Sequence, residues 1–168
     1  ADICQGNFEV DFGPIALLGL KDPDSLVRLA AIDTFWDSED PALISPLLAL
    51  LQNDPDPTVQ ASAAQALGQY VLLGELGDLA DPVFEHLTST LLRVTQDLSR
   101  PTLIRCRALE AVAAAGLDEI PALIRAAYQA EDEALKVSAI TAMGRTADEV
   151  WEPIVTAELE SVNPGIRY

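Results

Sequence analysis

Residues 53–68 read NDPDPTVQASAAQALG, and residues 22–32 read DPDSLVRLAAI. Both stretches place Asp-Pro-Asp ahead of a valine, three residues after the second aspartate, and follow it with a polar residue and an alanine-rich run. Self-similarity of this kind marks a repeated supersecondary unit. Aligning the chain on the β-branched residue after each turn gives Val27, Val59, Ile104, Val137 and Ile166, spaced 32, 45, 33 and 29 residues apart. A period of about 30 residues is the size of a helix pair that stacks on its neighbours.

Within the first unit, Asp24 and Ser25 stand where a helix cap belongs, and Val27, Ala30, Ala31 and Thr34 follow the i, i+3, i+4, i+7 stripe of a helix packed on one side. DSEDP at 37–41 then supplies an acidic cap and a proline at a first helical position, opening a second helix, PALISPLLALLQ. Asn53, Pro55 and Pro57 stop it, because the residue before a proline is pushed out of the α region. The same punctuation recurs at GDLADP, LSRPT, LDEIP and ADEVWEP. Each unit is therefore predicted to hold an A helix and a B helix. The alanines of the A helices, such as Ala61, Ala63, Ala64 and Ala66, permit close approach of neighbouring axes.

The composition agrees with an all-α chain: 49% of the 168 residues are hydrophobic, only 5% aromatic, and Ala and Leu favour helix. The formal net charge of −17 repels phosphate, which argues against nucleic acid and anionic membrane surfaces and for a protein partner with a basic surface. Cys4 and Cys106 form no CxxC or Cys/His pattern, so both are expected as free thiols. No apolar run approaches the roughly 18 residues that span a bilayer, and ADICQGNFEV does not resemble a signal peptide. A cytoplasmic location is the expectation.

The organisation reads as a lead at 1–13 and a repeat domain at 14–168. PIALLGL at 14–20 takes the place of a B helix, and SVNPGIRY begins a further A helix, so the chain reads as a fragment of a longer array.

Little in the sequence calls for catalysis, a metal or a cofactor. His86 is the only histidine and lies within DPVFEHLTST, with no nucleophile signature around any Ser or Cys. The clusters DSED, EDE and ADEVWE fall at helix starts, where carboxylates cap free N–H groups. Arg93, Arg100, Arg105 and Arg107 form the one basic cluster, either paired with Glu85, Asp97 and Glu110 or available to an acidic partner. Trp36, Tyr70, Tyr128 and Trp151 are the aromatics that could anchor an interface, but at helical spacing in a repeat the core is their expected place.

DPDSLVRLAAI and NDPDPTVQASAAQALG resemble the HEAT repeat, and more closely its short bacterial form, the PBS-lyase HEAT-like repeat, with the pattern Asp-Pro-x-x-x-Val-Arg-x-x-Ala-x-x-Ala-Leu-Gly. Arg28 matches the family arginine, which becomes Gln60 in the second unit and Ser138 in the fourth. Residues 69–98 carry an insertion of about a dozen residues. The resemblance implies a right-handed α-solenoid that acts as a protein-docking scaffold without catalysis, its groove lined by B helices. Residues off the apolar stripes of those helices, Glu85, His86, Arg93, Arg125, Tyr128, Gln129 and Glu152, are the candidate partner contacts, together with Arg100, Arg105 and Arg107. The same repeat occurs in phycobilin lyases, so chromophore attachment, as the enzyme or its subunit, is the alternative that the resemblance brings.

Overall fold

The computed structural model describes residues 13–167, so most of the predicted lead, and Cys4 with it, lies outside the described residues. Among the described residues ten α-helices follow one another: α1 Gly13–Gly19, α2 Ser25–Thr34, α3 Ile44–Asn53, α4 Pro57–Glu75, α5 Asp81–Gln96, α6 Thr102–Val112, α7 Ile120–Tyr128, α8 Glu133–Thr146, α9 Glu152–Glu158 and α10 Pro164–Arg167. Short 3-10 turns at Pro41–Leu43, Ala113–Ala115 and Glu149–Trp151 precede α3, follow α6 and precede α9. Among the described residues there is no strand.

The helices pair as the sequence predicts. The A helices α2, α4, α6 and α8 pack each on the next, and α10 begins against α8. The B helices α3, α5 and α7 each pack on the A helix that follows, and α1 packs on α2 in the same manner. The result is an α-solenoid whose layers are one row of A helices and one of B helices.

Asp24, Asp56, Asp132 and Asn163 open the A helices α2, α4, α8 and α10, each side-chain oxygen accepting from the backbone N–H two residues on. These caps correct the register of the fourth unit. With Asp132 as the cap, the residue equivalent to Val27 and Val59 is Leu135 rather than Val137, so the anchors become Val27, Val59, Ile104, Leu135 and Ile166, spaced 32, 45, 31 and 31. Lys136, not Ser138, then occupies the arginine position. Ser138 is buried and donates to the Cys106 carbonyl at 3.0 Å, binding α8 to α6.

Except in the fourth unit, where Lys136 reaches Glu158 instead, the side chain at the arginine position ties down the turn before its helix. Arg28 Nη1 donates to the Asp22 carbonyl at 2.8 Å, Gln60 Nε2 to the Asp54 carbonyl at 2.6 Å and Arg167 Nη1 to the Ser161 carbonyl at 2.5 Å, always six residues back. Arg105 reaches further, to the Thr95 carbonyl at 3.2 Å. Turn carbonyls that would otherwise lack a partner are thereby satisfied.

Small residues set the spacing of the A row. Ala31, Ala63, Ala108 and Ala139, all four positions past the anchor, are buried where adjacent A helices meet. A Cβ added at Gly68 would lie 3.3 Å from the Ala111 Cα, so α4 and α6 touch almost backbone to backbone. Phe35, Leu67, Val112 and Met143, four residues further on, fill the space between the rows.

The insertion at 69–98 is absorbed into helix length. α4 has 19 residues against 10 in α2, and α5 has 16 against 10 in α3. Tyr70 and Val71, in the added turns of α4, are fully buried.

Candidate functional site

Charge is divided between the two edges of the solenoid. The A-to-B connections carry eleven exposed carboxylates: Asp37, Glu39 and Asp40; Glu75, Asp78 and Asp81; Asp118 and Glu119; Asp148, Glu149 and Glu152. No lysine or arginine lies within these four connections. They adjoin along the stack: Gln69 donates to the carbonyls of Phe35 and Ser38, and the Glu75 carboxylate lies beside Gly116. The opposite edge also holds acidic turns, but part of their charge is paired with cations. There Arg28 pairs with Asp54, Arg100 with Asp97 and Lys136 with Glu158. The A-to-B connections are thus the ones whose carboxylates have no cation within their own turns, while the opposite edge is balanced in part, with Asp24, Glu131, Asp132 and Glu133 still exposed there.

The outer face of the A row contains a groove of about 670 Å³ that runs across α2, α4 and α6 to α8. Its floor is made of small residues, Ala66, Gly68, Ala111 and Ala114, and this is what leaves the space. Trp36 and Leu72 rise from it with 75% and 51% of their surfaces exposed. Asp33 and Gln65 line it from α2 and α4, and Arg145 closes the α8 end with Nη1 donating to the Glu110 carbonyl at 2.9 Å. The sequence places Trp36 among core candidates, and the structure corrects this: α2 ends at Thr34, so the indole leaves the stripe and faces solvent. Tyr70 and Trp151 are buried as expected, and Tyr128 is half-buried.

A second groove, of about 600 Å³, lies between the B helices α3 and α5, lined by Ile44, Leu48, Ala49, Pro82, Val83 and His86. Of the predicted B-helix contacts, only His86 lines it. Glu85, Arg93 and Glu152 are exposed elsewhere on their helices, and Gln129 is exposed just past the end of α7. Arg125 stacks its guanidinium 5.0 Å from the centre of the Trp151 ring, fixing α7 against the turn before α9.

The arginine cluster is largely turned inward. Arg100 donates to the Leu51 carbonyl and to Gln60 Oε1, both at 3.0 Å, besides its contact with Asp97. Arg107 holds the buried Glu110 at 2.7 Å. Glu85 joins neither pair. The Asp97 carboxyl lies below its ordinary range because the hydroxyl and amide of Ser99 donate to it, with Arg100 adding to the effect.

Three polar groups meet between α7, α8 and α9. The Tyr128 hydroxyl donates to Glu158 Oε1 at 2.6 Å, Lys136 Nζ lies 2.7 Å from the same oxygen, and the ammonium stands 5.0 Å from the centre of the Tyr128 ring. Hydrogen bonds from Lys136 and Tyr128 hold the Glu158 carboxyl below its usual range, and the bond to Glu158 raises both Lys136 and Tyr128. Nothing in this cluster is arranged around a nucleophile, and the buried thiol of Cys106 is raised by its burial. Among the described residues no group of three or more metal-ligating side chains comes together, and no helix is long and apolar enough to cross a membrane.

Helix pairs stacked in an A row and a B row define an α-solenoid repeat protein. The HEAT repeats family pattern matches residues 14–98, and the chain belongs to that family. It is also similar to the uncharacterized phycocyanin operon protein Z of Pseudanabaena tenuis, with 30% identity over 129 residues. The match takes in 77% of this chain and 60% of that relative, so the chain spans less than two thirds of the relative's length.

Proposed function

We propose that this chain is a non-catalytic scaffold that docks a protein partner through the partner's basic surface. The observation that carries the reading is the unneutralised A-to-B edge, eleven exposed carboxylates without a cation among them. Such a row steers cationic surfaces into contact and raises association rates, and screening by salt removes the effect. Of the candidate contacts proposed from the B helices, Glu85 adds one further exposed carboxylate of the same sense.

The test is an array of synthetic peptides matched in length and apolar content but of positive, zero and negative net charge, incubated with the purified chain at low and raised salt. Retention of the cationic set, lost as salt rises, is the expected result. Equal retention of all three sets would end this reading.

A second reading follows from the name of the relative. A protein of a phycocyanin operon suggests chromophore attachment, as in phycobilin lyases, and this chain would then act as such an enzyme or its subunit. Incubation with free bilin should in that case change the bilin's visible absorption. An unchanged spectrum leaves the scaffold alone.

A further inference from the structure

Within the scaffold reading, on which this rests, we infer that the groove across the A row is a docking site for a cationic amphipathic segment of the partner protein. Trp36 and Leu72 offer an aromatic and an aliphatic anchor on a floor of small residues that gives a ligand backbone close approach. Large apolar side chains exposed together beside a cavity mark an interaction surface rather than incidental exposure.

Charge complementarity fixes the occupant. Asp33 lines the groove itself, and Trp36 is followed at once by Asp37, Glu39 and Asp40 of the acidic edge. A segment with its apolar side on Trp36 and Leu72 would therefore carry its lysines and arginines along carboxylates. Arg145 is the one cation in the groove, and its place at the far end, on α8, gives the site a direction. The basic part of the segment lies over α2. Four A helices at about 8–10 Å spacing span about 24–30 Å, which a helical segment of about 18 residues covers at 1.5 Å per residue.

Trp36 and Trp151 are the only tryptophans, one 75% exposed and one 2% exposed, so a change in solvent access of the chain's emission reports on Trp36. The experiment titrates the full chain with a tryptophan-free leucine–lysine peptide of about 18 residues, and with lysine–serine and leucine–glutamate controls. The leucine–lysine peptide should shift the emission to the blue and protect it from acrylamide. Leu72→Arg and Asp33→Lys should each weaken binding about tenfold, whereas Val83→Arg in the B-row groove should leave it unchanged. Circular dichroism checks the fold of each variant, and Gln65→Arg replaces Leu72→Arg if that variant loses helix. If the peptide binds while Trp36 stays open to acrylamide, or if Val83→Arg is the variant that weakens it, the A-row site is wrong and the scaffold reading survives. If neither cationic peptide binds, both are overturned.

Discussion

Arg28 and Asp54 belong to successive repeat units and are joined by a two-pronged ion pair, Nε to Oδ2 at 2.7 Å and Nη2 to Oδ1 at 2.8 Å, with both side chains buried. The third guanidinium nitrogen holds the Asp22 and Pro23 carbonyls at 2.8 and 3.1 Å, and Asp54 Oδ1 also accepts from the Asp56 N–H. One side chain thus closes the turn before α2 and fastens it to the turn before α4. Arg28→Gln, which copies the residue at position 60, should keep the reach to the carbonyl but lose the carboxylate, and Arg28→Ala should lose both. Urea midpoints should therefore fall in the order wild type, Arg28→Gln, Arg28→Ala. The double variant Arg28→Ala/Asp54→Ala should lose less than the sum of the single changes, because each single change strands a buried partner.

Two helical glycines should respond with opposite signs. Gly144 in α8 has open space where a Cβ would stand, so Gly144→Ala should stabilise the protein by about 0.5–1 kcal/mol through chain entropy alone. At Gly68 the same methyl would press on the Ala111 backbone at 3.3 Å and on the Arg145 guanidinium. Gly68→Ala should cost about 1 kcal/mol or more, because neither α4 nor α6 has slack in the A row. Calorimetric melting of the two variants checks both signs.

The Tyr128–Lys136–Glu158 cluster sets a pH window for the fourth unit. Glu158 is depressed below its ordinary value of 4.5, so its contribution is present above that value and is lost as pH falls through the folded one. Tyr128 and Lys136 are raised above 10.0 and 10.5, so their contributions are complete below those values and disappear as pH rises through the folded ones. Protection factors for hydrogen exchange in α9, taken against the intrinsic amide rate at each pH, should fall on the acid side below about 4.5. Glu158→Gln should exchange faster at neutral pH and lose that acid dependence.

Cys106 is buried at the α6–α8 contact and its thiol is raised above the ordinary range. Alkylation at this residue, read by mass spectrometry of its peptide, should be negligible in the native protein and complete in urea.

The fold was legible because caps and prolines are local signals. Asp24 and Asp56 each precede a valine by three residues, and Pro41 opens the turn into α3 as its position suggests. The register of α8 was less legible. In LKVSAITAMG apolar residues occupy more than one face, and EDE at 131–133 offers three possible caps, so the choice of Asp132 rests on which one reaches a backbone N–H. The candidate site was less legible still. Arg100 is spent on the Leu51 carbonyl, 49 residues away in the chain, and no local pattern announces that. Nor does the stripe of α2 reveal that the helix ends before Trp36, or that Gly68 and Ala111 would leave a hollow beneath it.

A solenoid of near-identical units has a weakness as a docking surface: a partner that fits one unit fits the next, and it can slip along the stack. The long α4 removes that ambiguity. It starts in register with α2 but continues for nine more residues, about 13 Å at the helical rise, and carries Leu76, Glu75 and Asp78 beyond the end of its neighbour. The acidic edge is therefore stepped rather than straight. The step marks one position of the repetitive surface as unlike the rest, and under the proposed docking role it would fix the register of a partner.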